Sequence, residues 1–194
     1  MASAGYRSAP SVLIVPLEEA FGWSRSQIAA AVSINVLLFG LVAPFAAALM
    51  ERFTVRKVVM GALTTVSTGA FLTTLIHAPW QLIATWGVIV GIGTGSMALV
   101  FAATVANRWF VKRRGLVVGG LTAAAAMGQL IFLPGLTHLS GMYGWKSIGL
   151  TIGAAALLMV PMIFVFLRER PADLGYLPYG APDDWTPPPR SEMN

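Results

Sequence analysis

The chain has 194 residues, of which 56% are hydrophobic and only 11% charged, and its mean hydropathy is +0.72. A soluble domain has about 25% charged residues, so this composition indicates a membrane protein. The absence of cysteine excludes disulfide scaffolds, thiolate metal sites and thiol nucleophiles. The net charge of +5 does not indicate a nucleic-acid partner, because the basic residues lie in short loops between long apolar runs.

Six apolar segments follow one another along the chain and predict an all-α membrane protein. A helix needs about 20 apolar residues to cross the hydrocarbon core, and it pairs its backbone polar groups internally. The segments are Ala2–Leu17, Ile28–Met50, Val58–Ile76, Trp80–Ala106, Leu116–Leu139 and Ser147–Leu167. The first is short, contains an arginine and lacks the features of a signal peptide. We therefore expect it to be the remainder of a truncated membrane helix.

The loops between these segments are short and carry local signals. Ser24 and Gln27 have the spacing of a capping box, in which each side chain pairs with a free backbone N–H. The stretches at 21–23 (Phe-Gly-Trp) and 143–145 (Tyr-Gly-Trp) resemble each other, and aromatic residues at helix ends are typical of membrane interfaces. An internal repeat and two similar membrane-edge turns both explain this similarity.

The basic residues are distributed unequally between the two sets of loops. One set holds Arg52, Arg56, Lys57, Arg108, Lys112, Arg113, Arg114, Arg168, Arg170 and Arg190. The opposite loops hold only Arg25 and Lys146. The positive-inside rule places the richer set and the C-terminus in the cytoplasm. The sequence thus predicts a multi-pass protein of the cell inner membrane.

The chain changes character at Pro171. Five further prolines follow among Gly, Asp and Ser, without apolar periodicity. This composition is typical of a linker or tail rather than a domain. We expect a transmembrane domain over residues 1–170 and a cytoplasmic proline-rich linker or tail over residues 171–194.

The loop at residues 47–57 resembles the cytoplasmic loop motif of the major facilitator superfamily. Glu51 takes the acidic position, and Arg52 and Arg56 take basic positions. Alanine and threonine replace the two glycines of that motif, so the match is partial. Such a loop can gate transport, because its carboxylate and arginines pair across helix ends in one state and separate in the other. The alternative is that the charges only set the orientation.

Three further stretches resemble the monocarboxylate and oxalate/formate antiporter branches of that superfamily. They are residues 16–24, residues 107–115 with the glycines that follow, and residues 170–175. The resemblance implies the N-terminal half of a twelve-helix fold, six helices built as a 3+3 inverted repeat beside a central cavity. It also implies that the chain is a fragment or the product of a truncated gene. The gating set it suggests is Glu51, Arg52, Arg56, Lys57, Arg108 and Arg113.

The function implied by the resemblance is secondary transport of small organic anions by alternating access, as in an antiporter. No covalent chemistry or cofactor is implied. The expected partners are the anion, the lipid bilayer, and either the missing C-terminal half or a second copy. Two alternatives remain: a six-helix protein that transports nothing, as a scaffold or inert remnant, and a half-transporter that dimerises. An enzyme is disfavoured, because no segment places a catalytic pair or metal cluster at one depth.

Arg7 is the main candidate for binding the anion. It precedes Glu18 by eleven residues, which places it roughly 16 Å below the outer face at 1.5 Å per residue. A guanidinium at mid-membrane can hold a carboxylate with two parallel hydrogen bonds. The alternative is that Arg7 lies near the N-terminus and extends to the cytoplasmic surface.

Asn35 and Gln129 are the other candidates for contacting substrate, since the resemblance places their helices along the cavity. Each amide donates and accepts hydrogen bonds, but such amides also join helices structurally. Gly87, Gly91 and Gly95 have the spacing of a close helix contact rather than a nucleotide-binding loop. Many superfamily members carry an arginine at the place of Gly87, so its absence favours exchange or facilitated flux over proton symport. No metal site is predicted.

Overall fold

The computed structural model describes residues 14–97, 99–168 and 171–182. These residues form an all-α bundle, whose first described helix, α1, covers residues 14–21. The helices that follow are α2 (Arg25–Arg52), α3 (Val55–Thr73), α4 (Pro79–Leu82, Ile83–Val90 and Gly91–Gly95), α5 (Leu99–Trp109), α6 (Arg114–Tyr143) and α7 (Lys146–Phe166). A 3₁₀ turn, Pro171–Leu174, follows α7.

Side-chain caps fix the starts of α2 and α3. The Ser24 hydroxyl accepts from the Gln27 backbone N–H, and the Gln27 side chain accepts from the Ser24 N–H at 3.1 Å. This confirms the predicted capping box. Thr54 plays the same part at α3, where its hydroxyl accepts from the Lys57 N–H at 3.3 Å. Each cap satisfies one of the backbone donors that a helix start leaves unpaired.

The predicted single segment Trp80–Ala106 is not one regular helix. Ile83–Val90 is wound as a π-helix between two α-helical pieces, and turns at Ser96 and Met97 separate α4 from α5. Four glycines lie in this segment, and glycine weakens a helix because it gives up the most backbone freedom on ordering. Apolarity therefore indicated the length of the segment but not its interruption.

Two helix pairs form the centre of the bundle. Helix α3 packs along α7, and α2 packs along α4. The buried cluster includes Leu17, Ile28, Met50, Val66, Trp86, Val90, Leu136 and Ile148. Helix α6 lies at the edge of this core, where it packs against α5 and α7.

The two ends of the bundle are chemically different. At one end the Phe21 ring stacks on Trp23 at 4.5 Å between centroids and meets Trp145 edge-on at 5.4 Å. Gly22 and Gly144 make the turns there with φ of 66° and 77°, values that glycine adopts without strain. The resemblance between the two aromatic loops thus corresponds to a direct contact between them.

Among the described residues, three helices are long and apolar enough to cross a membrane: Arg25–Arg52, Arg114–Tyr143 and Lys146–Phe166. Few residues of their most apolar windows are buried, from 6% in α6 to 28% in α7. Large apolar side chains such as Leu116, Leu130 and Ile131 are exposed. Exposed apolar surface on this scale indicates contact with lipid or with another protein.

Candidate functional site

Helices α2 and α4 are joined at the position of Asn35. Its Nδ2 donates to the Trp86 carbonyl oxygen at 2.7 Å, and the Asn35 side chain is half-buried. Trp86 lies inside the π-helix, where the wider turn alters the usual backbone pairing. The Trp86 indole Nε1 is buried, and no described residue accepts a hydrogen bond from it. Trp86 was not identified from the sequence, because an apolar run gives no sign of π-helical winding.

Gln129 lies on α6, away from Asn35. Its side chain is half-buried, and within residues 14–97, 99–168 and 171–182 no hydrogen bond to its amide is present. Helix α2 packs mainly on α4, whereas α6 packs on α5 and α7. The structure therefore does not join the two candidate amides directly. Arg7, the third candidate, lies outside the described residues.

The three glycines of α4 face the α2 backbone. A Cβ at Gly87 would lie 3.1 Å from the Ala31 carbonyl oxygen, and one at Gly91 would lie 3.2 Å from the Asn35 Cα. At Gly95 the corresponding distance to the Leu38 carbonyl oxygen is 3.1 Å. Any larger residue would push the helices apart, so these positions let α4 approach α2 closely at the level of Asn35.

A second close contact, missed by the sequence reasoning, joins α3 to α7. A Cβ at Gly149 would lie 2.8 Å from the Ala70 carbonyl oxygen, and one at Gly153 would lie 3.0 Å from the Phe71 ring. The buried Ser67 hydroxyl donates to the Gly153 carbonyl oxygen at 2.9 Å. The spacing of four residues between the two glycines is the signal that could have identified this contact.

The predicted gating residues gather at the end of the bundle opposite the aromatic loops. The Arg56 guanidinium lies over the Phe164 ring at 5.1 Å and donates to the Phe164 carbonyl oxygen at 3.4 Å. Arg108 donates to the Met50 carbonyl oxygen at 3.4 Å. These contacts join the end of α7 to the start of α3, and the end of α5 to the end of α2.

Charge at this end is strongly unbalanced. Arg52, Lys57 and Arg113 are exposed, as is Glu51, the one acid in the loops that hold them. In the part of the chain that the structure describes, no ion pair joins Glu51 to an arginine; the pair that is present, Glu18 with Arg25 at 2.8 Å, lies at the aromatic end. Across the same residues no group of three or more histidine or acidic side chains is placed to hold a metal ion.

The family model described as Major Facilitator Superfamily matches residues 1–187. The chain belongs to this superfamily. It is 28% identical over 169 residues to the uncharacterised transporter YcxA of Bacillus subtilis (strain 168), covering 86% of this chain and 41% of that protein. It is 31% identical over 154 residues to monocarboxylate transporter 14 of Homo sapiens, covering 79% of this chain and 30% of that protein.

These relatives set the class of the protein and the extent of the match. The superfamily is one of transporters and not of enzymes, as the absence of a catalytic constellation in the sequence indicated. The chain spans less than half the length of the relatives it matches, 41% of the bacterial protein and 30% of the human one.

Proposed function

We propose that this chain forms the N-terminal half of a secondary transporter that moves small organic anions across the cell inner membrane by alternating access. The observation that carries this proposal is the superfamily match over residues 1–187, with monocarboxylate transporters among the relatives. Exchange of one anion for another is the proposed mode, since the six apolar segments bounded in the sequence hold no acid that could carry a proton.

The proposed architecture has six membrane spans arranged as a 3+3 inverted repeat. Its support is the order of the helices: α1, α2, α3, the interrupted pair α4 and α5, α6 and α7. The basic loops lie together at one end of the bundle and the aromatic loops at the other. We place the basic end and the tail in the cytoplasm, because positive charge is retained on that side.

The proposed binding site needs a basic group at mid-membrane, and Arg7 is the residue we assign to it. Asn35 lies at the α2–α4 contact and Gln129 on the little-buried helix α6. Both are proposed to face the cavity that forms when the other half is in place. That other half, either further helices of the same protein or a second copy, is the proposed partner for the exposed apolar face of α2.

Counterflow in proteoliposomes tests the function and the assignment together. Proteoliposomes that contain the protein at its native length are loaded with unlabelled lactate or oxalate. Entry of the same anion in labelled form is then measured. Arg7→Gln should lower entry by about tenfold to a hundredfold, because a hydrogen bond to a charged group contributes about 1.5–3 kcal/mol. Arg25→Gln is the matched control, since Arg25 is exposed at the aromatic end and pairs with Glu18.

The outcomes separate the two parts of the proposal. Normal counterflow by Arg7→Gln would remove Arg7 from the site and leave transport intact. Absence of counterflow for a range of small anions by the correctly inserted wild-type protein would contradict the organic-anion assignment itself. A helical membrane protein that acts as a scaffold would then become the better account.

A further inference from the structure

The segment that follows α7 turns back and pairs with the loop between α5 and α6. We call residues 171–182 the strap and residues 110–113 the basic loop. The Tyr179 N–H donates to the Trp109 carbonyl oxygen at 2.9 Å. The N–H groups of Val111 and Lys112 donate to the Tyr179 carbonyl oxygen at 2.9 and 3.3 Å. This is a parallel β-bridge between Phe110 and Tyr179, so the strap is bound at the junction between the end of α5 and the start of α6.

The side chains of the strap fit this contact. The Phe110 and Tyr179 rings lie 6.0 Å apart between centroids, within the range of favourable aromatic pairs. Pro171 and Pro178 are buried, although a proline-rich tail would leave such rings in water. Gly180 has φ of 78°, and a Cβ there would lie 2.8 Å from the Lys112 side chain. The strap therefore has a specific docked conformation.

The basic loop is held in an unfavourable conformation next to this contact. Arg113 has φ of 60° and ψ of 27°, and among the described residues other than glycine it alone has a positive φ. The left-handed region is costly for a residue with a Cβ, and such a conformation persists only where the surroundings hold it. The adjacent Arg114 guanidinium donates to the Phe110 carbonyl oxygen at 2.7 Å.

The conformation of Arg113 determines how α6 begins. The N–H groups of Leu116 and Val117 donate to the Arg113 carbonyl oxygen at 3.1 and 3.3 Å. No side chain caps this helix start. Helix α6 also buries few of its residues, namely Gly128, Leu136 and Ser140. Its first turn therefore depends on the backbone of the basic loop more than on packing.

We propose that the strap is a conformational latch that holds Arg113 in its strained conformation and so fixes the start of α6 to the exit of α7. When the strap detaches, Arg113 relaxes to an ordinary conformation and the first turn of α6 opens. The chain beyond residue 182 continues from the strap. A force on that part of the chain, or a partner bound to it, that detaches the strap would therefore also open the first turn of α6. The latch is independent of which solute is carried.

Two glycines of the strap provide a matched pair of variants. Gly180 and Gly175 both have positive φ, at 78° and 75°, but nothing lies within 4 Å of a Cβ built at Gly175. Alanine is strained at both positions, and only Gly180→Ala also meets Lys112. Hydrogen exchange of the full chain in lipid nanodiscs reports the result at the amides of Val111, Lys112, Leu116 and Val117.

The expected result is a graded loss of protection. Gly180→Ala should speed exchange at Val111 and Lys112 by about tenfold or more relative to Gly175→Ala, since local opening sets exchange. Exchange at Leu116 and Val117 should rise with it, while the last turn of α7 stays protected. Trypsin cleavage after Lys112, Arg113 or Arg114 should accelerate in parallel.

A second variant tests whether locking the strap to the basic loop stabilises the first turn of α6. Phe110→Cys combined with Tyr179→Cys, in a chain that has no other cysteine, should form a disulfide on mild oxidation and slow exchange at Leu116 and Val117. Residues paired across a β-bridge lie close enough for such a bond. If the strap opens in Gly180→Ala while Leu116 and Val117 keep their wild-type protection, the latch is wrong. Equal exchange at Val111 in the two alanine variants would equally overturn it.

Discussion

Helices α3 and α6 are both rich in apolar residues but have opposite surroundings. Nine of the 19 residues of α3 are buried, whereas only three of the 30 residues of α6 are. Helix α3 lies between α4 and α7, and α6 exposes large side chains such as Leu130 at 73% and Ile131 at 66%. The comparison shows that hydropathy marks a helix as suited to a membrane without telling whether protein or lipid surrounds it.

Glycine contacts account for much of this difference. Gly69 of α3 meets α4, and Gly149 of α7 meets the α3 backbone. In α6, by contrast, no atom lies within 4 Å of a Cβ built at Gly119, Gly120 or Gly135. The same residue type therefore permits close packing around α3 and leaves α6 open. What matters is the opposing surface and not the glycine alone.

The first prediction tests whether the exposed face of α6 lies in lipid. Ile131→Asp should cost about 2.5–3.5 kcal/mol of membrane insertion, the cost of a charge near the centre of a helix in a bilayer. The protein in the carbonate-resistant membrane fraction should fall sharply. Tyr176→Asp is the control, because Tyr176 is comparably exposed but lies in the strap. Equal recovery of the two variants would contradict a lipid-facing α6.

The second prediction concerns a variant that disrupts the packing of α7 against α3. Gly149→Val should lower the free energy of unfolding in detergent by about 1–3 kcal/mol, the usual effect of overpacking, since its Cβ would lie 2.8 Å from the Ala70 carbonyl oxygen. Gly120→Val in α6 should change the free energy of unfolding little. Thermal unfolding of both variants makes the comparison, and an equal loss would show that α6 is packed as tightly as α7.

The third prediction compares two hydroxyl groups. Ser67→Ala removes a buried hydrogen bond from α3 to the Gly153 carbonyl oxygen on α7, and it should cost about 0.6 kcal/mol, typical of such bonds in membranes. The Thr122 hydroxyl bonds only to its own helix, at Val118. Thr122→Ala should therefore be nearly neutral in the same unfolding assay. A larger loss in the free energy of unfolding for Thr122→Ala than for Ser67→Ala would contradict the order that the packing implies.

Local signals predicted part of this fold, and contacts between distant segments determined the rest. The Ser24 cap was predictable because both partners lie within four residues. The hydrogen bond from Asn35 to the Trp86 carbonyl spans 51 positions, so no local pattern reveals it. The strap was predicted only as a linker, because its pairing depends on the loop at Val111 rather than on its own composition. The roles of Arg7, Asn35 and Gln129 in binding stay predictions.

The most direct test of the account asks which side of the membrane each end of the bundle occupies. The chain has no cysteine, so Lys57→Cys at the basic end and Lys146→Cys at the aromatic end each provide a single reactive thiol. An impermeant maleimide should label Lys146→Cys in intact cells and Lys57→Cys only after the membrane is opened. Labelling of both in intact cells, or of Lys57→Cys alone, would contradict a membrane-spanning bundle with a cytoplasmic basic end.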